Sequence, residues 1–172
     1  MNYYDVSVPV YVKMLENLEK ILEKGKDWAK EQEKSDGELL DAKLAPDMFP
    51  LIRQVQIASD NAKGISARLA GQEPPKMEDV EVTFDQAIER VQKTVEYLKS
   101  LDRSLFEGAE NLQIPFPYVP DTYLTAKEAL LESYLPNFFF HVTTAYDILR
   151  NQGVPLGKAD FIGNLPLKPV QK

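Results

Sequence analysis

Histidine occurs once in the 172 residues, as His141 within LPNFFFHVTTAYDILR, residues 135–150. An imidazole with an ordinary pKa near 6.5 can accept and donate a proton near neutral pH, and it is also a common metal ligand. His141 directly follows Phe138, Phe139 and Phe140, so a packed core or boundary histidine is an equal possibility. Its neighbours must decide. On a helix, Asn137 lies one turn before it and Thr144 about one turn after, on the same face. Pro136 removes an amide donor and crowds the carbonyl of Glu132, so a bend is expected beside this polar strip.

A second polar strip runs through residues 47–61. Asp47, Gln54 and Asn61 recur every seven residues with Leu51 and Ala58 between them, and Arg53, Gln56 and Asp60 sit alongside. Polar groups facing a helical core need partners or water, because an unpaired one costs about 1–3 kcal/mol. Two such strips predict a cavity or a hydrogen-bonded network rather than a dry core. Plainer roles also fit: Gln54 and Arg53 as bundle contacts or surface groups, and Asp47 as a helix cap. Phe138 to Phe140 are expected in the core, and the charged run from Glu16 to Lys34 on a solvated face.

The elements that would position these residues are helical. Apolar residues at i, i+3, i+4 spacing (Val8, Tyr11, Val12, Leu15, Leu18, Leu22) predict a first helix starting near Ser7 and fading in EKGKDWAKEQEKSDG. A second follows LAPDMFP, with Asp47 as cap, the stripe Leu51, Val55, Ala58, Ala62, Ile65, Leu69, and Gly71 as the stop. A third opens at Thr83 with Gln86 in a capping box. Its buried side is Phe84, Ile88, Val91, Val95 and Leu98. NLQIPFPYVPDTY, with prolines among apolar residues, predicts an ordered extended loop or short hairpin. The fourth helix opens on the Thr125/Glu128 box and closes at Gly153. The expected fold is all-α, an antiparallel four-helix bundle in a single domain spanning residues 1–172.

Composition narrows the function. Hydrophobic content of 44% and charged content of 27% are those of a soluble globular chain. A net charge of −7 argues against nucleic acid and anionic membrane as partners. No apolar run reaches the roughly 20 residues of a spanning helix, and no secretory signal is visible, so a cytoplasmic protein is expected. Cysteine is absent, which removes disulfides, thiolate nucleophiles and cysteine-based zinc sites. No glycine-rich phosphate loop occurs. Pairing of two copies through a helix face is possible, giving a homodimer.

The blocks LAPDMFPLIRQVQIASDNAKG (44–64) and LPNFFFHVTTAYDILRNQGVPLGKADFIG (135–163), with the opening YYDVSVPVYVKMLENL, resemble a poorly characterised branch of the DinB-like four-helix bundles. IPFPYVP and PNFFFHVTTAY resemble fungal members in particular. Typical DinB-like proteins hold a divalent metal through three histidines, one on the second helix and an H-x3-H pair on the fourth. Aligned on the following GVP turn, that pair falls on Asn137 and His141, and the second-helix position falls near Gln54 or Gln56. Neutral amides in those places are poor ligands for zinc or nickel, so the resemblance implies the fold and no metal or other cofactor.

Some fungal relatives in this branch act as isomerases in tetrahydroxanthone biosynthesis, converting an allylic alcohol to a ketone and inverting an adjacent methyl-bearing carbon. Both steps can pass through an enol or dienol and need an acid, a base and a donor for the developing oxyanion. By this resemblance His141 would carry the proton, with Asp47 as the second acid/base or as the group orienting the ring. Arg53, Gln54 and Asn137 would hold oxygens of an aromatic or polycyclic small molecule, and Tyr118, Tyr146 and Phe140 would wall it. A metal-dependent transferase or hydrolase and a non-catalytic metabolite binder are the alternatives.

Overall fold

The computed structural model describes residues 2–116 and 119–170. Tyr118 lies outside them. The long helices are α1 (Tyr3–Glu31), α3 (Leu51–Leu69), α4 (Phe84–Ser100) and α6 (Leu135–Asn151), with the short α2 (Asp36–Leu40) and α7 (Lys158–Ile162). α1 packs chiefly on α4 and α3 chiefly on α6, while α3 also packs on α4 and joins the two pairs. The expected helical bundle is observed. Its core is built from the predicted stripes, with Tyr11, Leu15, Leu18, Leu51, Ile65, Phe84, Leu98 and Phe138 fully buried.

α1 departs from expectation at its start. It begins at Tyr3, where Asn2 accepts from the Tyr4 amide at 2.8 Å, so Ser7 is inside the helix and its hydroxyl donates to the Tyr3 carbonyl at 2.7 Å. The helix ends at Glu31, within the charged stretch where it was expected to fade. The charged stretch keeps one buried face there. A Cβ on Gly25 would lie 3.0 Å from Leu149 Cδ2 and 3.2 Å from Phe84 Cε1, so the helices meet closely at that point.

The capping boxes at Thr83/Gln86 and Thr125/Glu128 form as expected. Gly71 closes α3 with φ +66°, a conformation that favours glycine. The segment before the last helix holds a small antiparallel hairpin, β1 (Gln113–Pro115) against β2 (Tyr123–Thr125), with Ile114 opposite Leu124 and buried.

The disturbance expected at Pro136 includes a change of helix type. After one α-helical turn, α5 (Ala126–Glu128), the chain winds as a π-helix over Ala129–Tyr134 before α6 begins. A proline has no amide to give the carbonyl four residues back, and its ring would collide with that group. A wider turn immediately before Pro136 separates the two and lets the helix continue.

Candidate functional site

α3 and α6 bring the two polar strips together. Nδ1 of His141 lies 2.6 Å from Oε1 of Gln54, and the Gln54 amide nitrogen donates to the Phe49 carbonyl at 2.9 Å. A backbone carbonyl can only accept, so the Gln54 amide must turn its NH2 to Phe49 and its oxygen to the ring. Nδ1 therefore carries the hydrogen, and the basic lone pair of the neutral ring is on Nε2. No described residue hydrogen-bonds to Nε2.

Gln54 is 1% exposed and His141 6%. Burial, then the nearby Arg53 charge, hold the His141 pKa below its usual value. The imidazole is thus neutral at physiological pH. The Phe140 ring meets it edge-on, with centroids 5.2 Å apart, and is itself 55% exposed.

Two depressions flank Phe140 and share it with Pro136. The first is a half-open cleft of about 580 Å3 lined by Asn61, Phe116, Glu132, Ser133, Tyr134, Pro136, Asn137 and Phe140. This lies within the size range of small-molecule sites. Gln54 meets His141, while Asn61, two turns along α3, shares the cleft with Asn137, which precedes His141. The two helices therefore run antiparallel, and the cleft ends one turn from the imidazole. Asn61 Oδ1 is sealed from solvent without a donor. The second depression is a shallow one of about 500 Å3, bounded by Leu44, Met48, Phe139, Thr143, Thr144 and Asp147.

The other expected site residues are placed as follows. Asn137 is exposed at the cleft, and Arg53 is half-exposed, ion-paired with Asp79 and donating to Gln56 at 3.1 Å. Asp47 is on an exposed turn and has no hydrogen bond to His141. Nor does it cap α3: Pro50 is the N-cap, without a side-chain cap bond. Tyr146 packs edge-on against Phe161 of α7 at 6.0 Å and lines neither depression. Of the cavity or hydrogen-bonded network expected from the polar strips, the ring itself is held in the network, the imidazole–amide contact, and an open cleft lies beside it.

Missed from the sequence is an ion network beside the site. Arg90 is 3% exposed and reaches Glu81 at 2.9 Å, Asp60 at 2.8 Å and Asp79 at 3.0 Å. Gln56 donates to Glu81 at 2.8 Å, and Lys63 pairs with Asp60 at 2.9 Å. Burial disfavours the Arg90 charge, but Glu81, Asp60 and Asp79 outweigh it and hold its pKa above the usual value. Burial likewise raises the Glu81 pKa, yet hydrogen bonds from Arg90 and Gln56 bring it below normal. GQEPPKMED reads as a polar connection, but its Asp79 fastens it across α3 and α4. The visible hint was an arginine adjoining the buried positions Ala87 and Val91.

A three-histidine divalent site does not fit these residues. The oxygen of Gln54 accepts from the imidazole, the Gln56 amide is shared between Arg53 and Glu81, and Asn137 stands at the cleft rim. Among the described residues no group of at least three His, Cys, Asp or Glu could hold an ion. No helix among them is long and apolar enough to cross a membrane.

Comparisons with known proteins agree with this architecture. A family model described as a domain of unknown function (DUF1993) matches residues 3–162. The chain is similar to a solved structure described as a DinB family member protein from Shewanella denitrificans. The two are 41% identical with a TM-score of 0.92, and the match covers 97% of this chain and 95% of that one. No curated protein matches. This similarity to a bacterial protein supports the DinB-like superfamily and lends nothing to a specifically fungal branch.

Proposed function

The chain belongs to the DUF1993 family, and from that premise we propose that it is an isomerase of small molecules in which His141 carries a proton between two carbon positions of an enolisable substrate. One observation carries this: the Phe49–Gln54–His141 relay holds a buried imidazole in a single tautomer, with its basic lone pair on Nε2. A base so oriented needs no reorganisation before it accepts a proton.

In the proposed step Nε2 takes a proton from a carbon next to, or conjugated with, a carbonyl, giving an enolate or dienolate and an imidazolium. Burial and Arg53 make that imidazolium unfavourable, which drives the proton back to carbon at another position or on the other face. Asn137 at the cleft, and Arg53 if it exchanges its Asp79 partner for substrate, are the candidate donors for the developing oxygen charge. Asp47 stands outside the relay, as a candidate second acid at the exposed turn. Isomerisation and epimerisation of a tetrahydroxanthone-type polyketide is the finer form of this proposal, supported by the chemistry required and by the resemblance of residues 114–120 and 136–146.

The experiment is solvent deuterium incorporation into cyclic enolisable ketones. Exchange by the intact protein and its loss in His141→Ala is the expected pair of results. Equal exchange in both proteins overturns the proposal. His141 does not itself line the cleft, which favours a second reading, a binding protein without turnover. Ligand binding with no deuterium uptake would establish that reading instead.

A further inference from the structure

The cleft has a chemical bias of its own. Its polar lining consists of the Glu132 carboxylate with Ser133, Asn137 and Asn61, and its walls carry the rings of Phe116, Tyr134 and Phe140. No lysine, arginine or histidine is among its lining residues. The cations nearest in sequence on α3 are engaged elsewhere, Arg53 with Asp79 and Lys63 with Asp60.

The π-helix makes this arrangement. Glu132, Ser133 and Tyr134 are consecutive, yet all face one cleft. Successive residues of an α-helix fan outward by about 100°, whereas a widened turn keeps neighbouring side chains closer together. The turn that relieves Pro136 thus also sets a carboxylate, a hydroxyl and a phenol ring side by side.

We propose that this cleft selects a non-anionic, hydrogen-bond-donating ligand on an aromatic or alicyclic body, an ammonium most strongly of all. A carboxylate attracts the cationic head, and the aromatic rings of Phe140 and Tyr134 in the lining offer contact to both the head and the apolar body. An anion finds only the neutral donors of Ser133, Asn137 and Asn61 there, no cation among the lining residues, and meets the Glu132 charge. The chain's net charge of −7 acts in the same direction but without specificity for the cleft.

The inference rests on the cleft being the ligand site of the proposed function, but not on turnover. Its test compares 2-phenylethylamine, 2-phenylethanol and phenylacetate by NMR titration of the full chain at millimolar concentration. Binding in the order amine, alcohol, carboxylate is expected, with the amine about fivefold tighter than the alcohol, and with shifts at Ser133 and Asn137. Glu132→Gln removes the amine preference and Ser133→Lys reverses it towards phenylacetate. Glu96→Gln, an exposed change on α4, leaves the order intact and so separates the cleft from the overall charge.

Equal affinities, a preference for phenylacetate, no binding of any probe, or an amine preference that survives Glu132→Gln each overturn the inference. Thermal melts confirm that each variant folds. Deuterium exchange without amine selectivity sinks this inference alone, whereas amine selectivity without exchange sinks the isomerase proposal alone.

Discussion

Gln54 and His141, 87 residues apart, face each other across the α3–α6 seam at 2.6 Å, and a backbone carbonyl behind Gln54 dictates which of them donates. The amide has no rotational choice, because its nitrogen must serve Phe49. The sole imidazole of the chain is thereby held in one tautomer by groups that carry no charge.

The tautomer is the first prediction. At pH 7 the 15N spectrum of His141 should report a neutral ring with hydrogen on Nδ1, titrating below the ordinary value near 6.5. Gln54→Glu places a carboxylate against Nδ1 and should raise that pKa. Gln54→Leu leaves the buried Nδ1–H and the Phe49 carbonyl unpaired, which costs about 1–3 kcal/mol in a denaturant titration. A ring with hydrogen on Nε2 would contradict this assignment.

Stability should also depend on pH through this one group. The folded pKa of His141 lies below the unfolded value, so the unfolded chain takes up the proton first as pH falls. Stability is therefore full above about pH 6.5 and declines below it until the folded ring also titrates. With a single histidine in the chain, no other side chain has its ordinary pKa in that window. Denaturant unfolding between pH 7.5 and 5.5 should show the decline in the natural protein and a flatter profile in His141→Gln.

Arg90→Ala should be among the most damaging substitutions outside the apolar core. It removes the cation that Glu81, Asp60 and Asp79 share and leaves Glu81, which is nearly buried, without its main partner. Breaking a buried ion pair from one side costs about 3–5 kcal/mol. Loss of protection in hydrogen exchange should concentrate at residues 72–83, the segment that the network fastens. A drop within the range of surface substitutions would show that the network contributes little.

Gly25→Ala should destabilise despite alanine's better helix propensity. The added methyl meets Leu149 at 3.0 Å and Phe84 at 3.2 Å inside the packed core. Overpacking of this kind costs about 1–3 kcal/mol, more than the roughly 1 kcal/mol that propensity returns. A higher melting temperature in the variant would show that Leu149 and Phe84 yield freely.

The bundle was legible in the sequence because its cause is local. Apolar residues repeat with the helical period, Thr83 and Thr125 open capping boxes, and Gly71 and Gly153 close helices. These depend on residues within a few positions of one another. Where within the charged stretch α1 ends is less local: Gly25 lies close to Leu149 and Phe84, an approach made only after the helices assemble. Pro136 announced a disturbance, but whether it became a kink or a π-helix depended on how residues 126–134 settle against the bundle.

The site divides in the same way. That Asn137 and His141 share one face of their helix, and Gln54 and Asn61 one face of another, follows from helical spacing, since residues one or two turns apart share a face whatever lies opposite. Only the tertiary structure decided that Gln54 rather than Asp47 orients the ring, that Tyr146 turns to Phe161, and that Arg90 gathers Asp60, Asp79 and Glu81. Periodicity determines which side of a helix a residue occupies. The partner it meets there is chosen by the register and separation of helices distant in the chain, and these emerge only when all the packed faces are satisfied together.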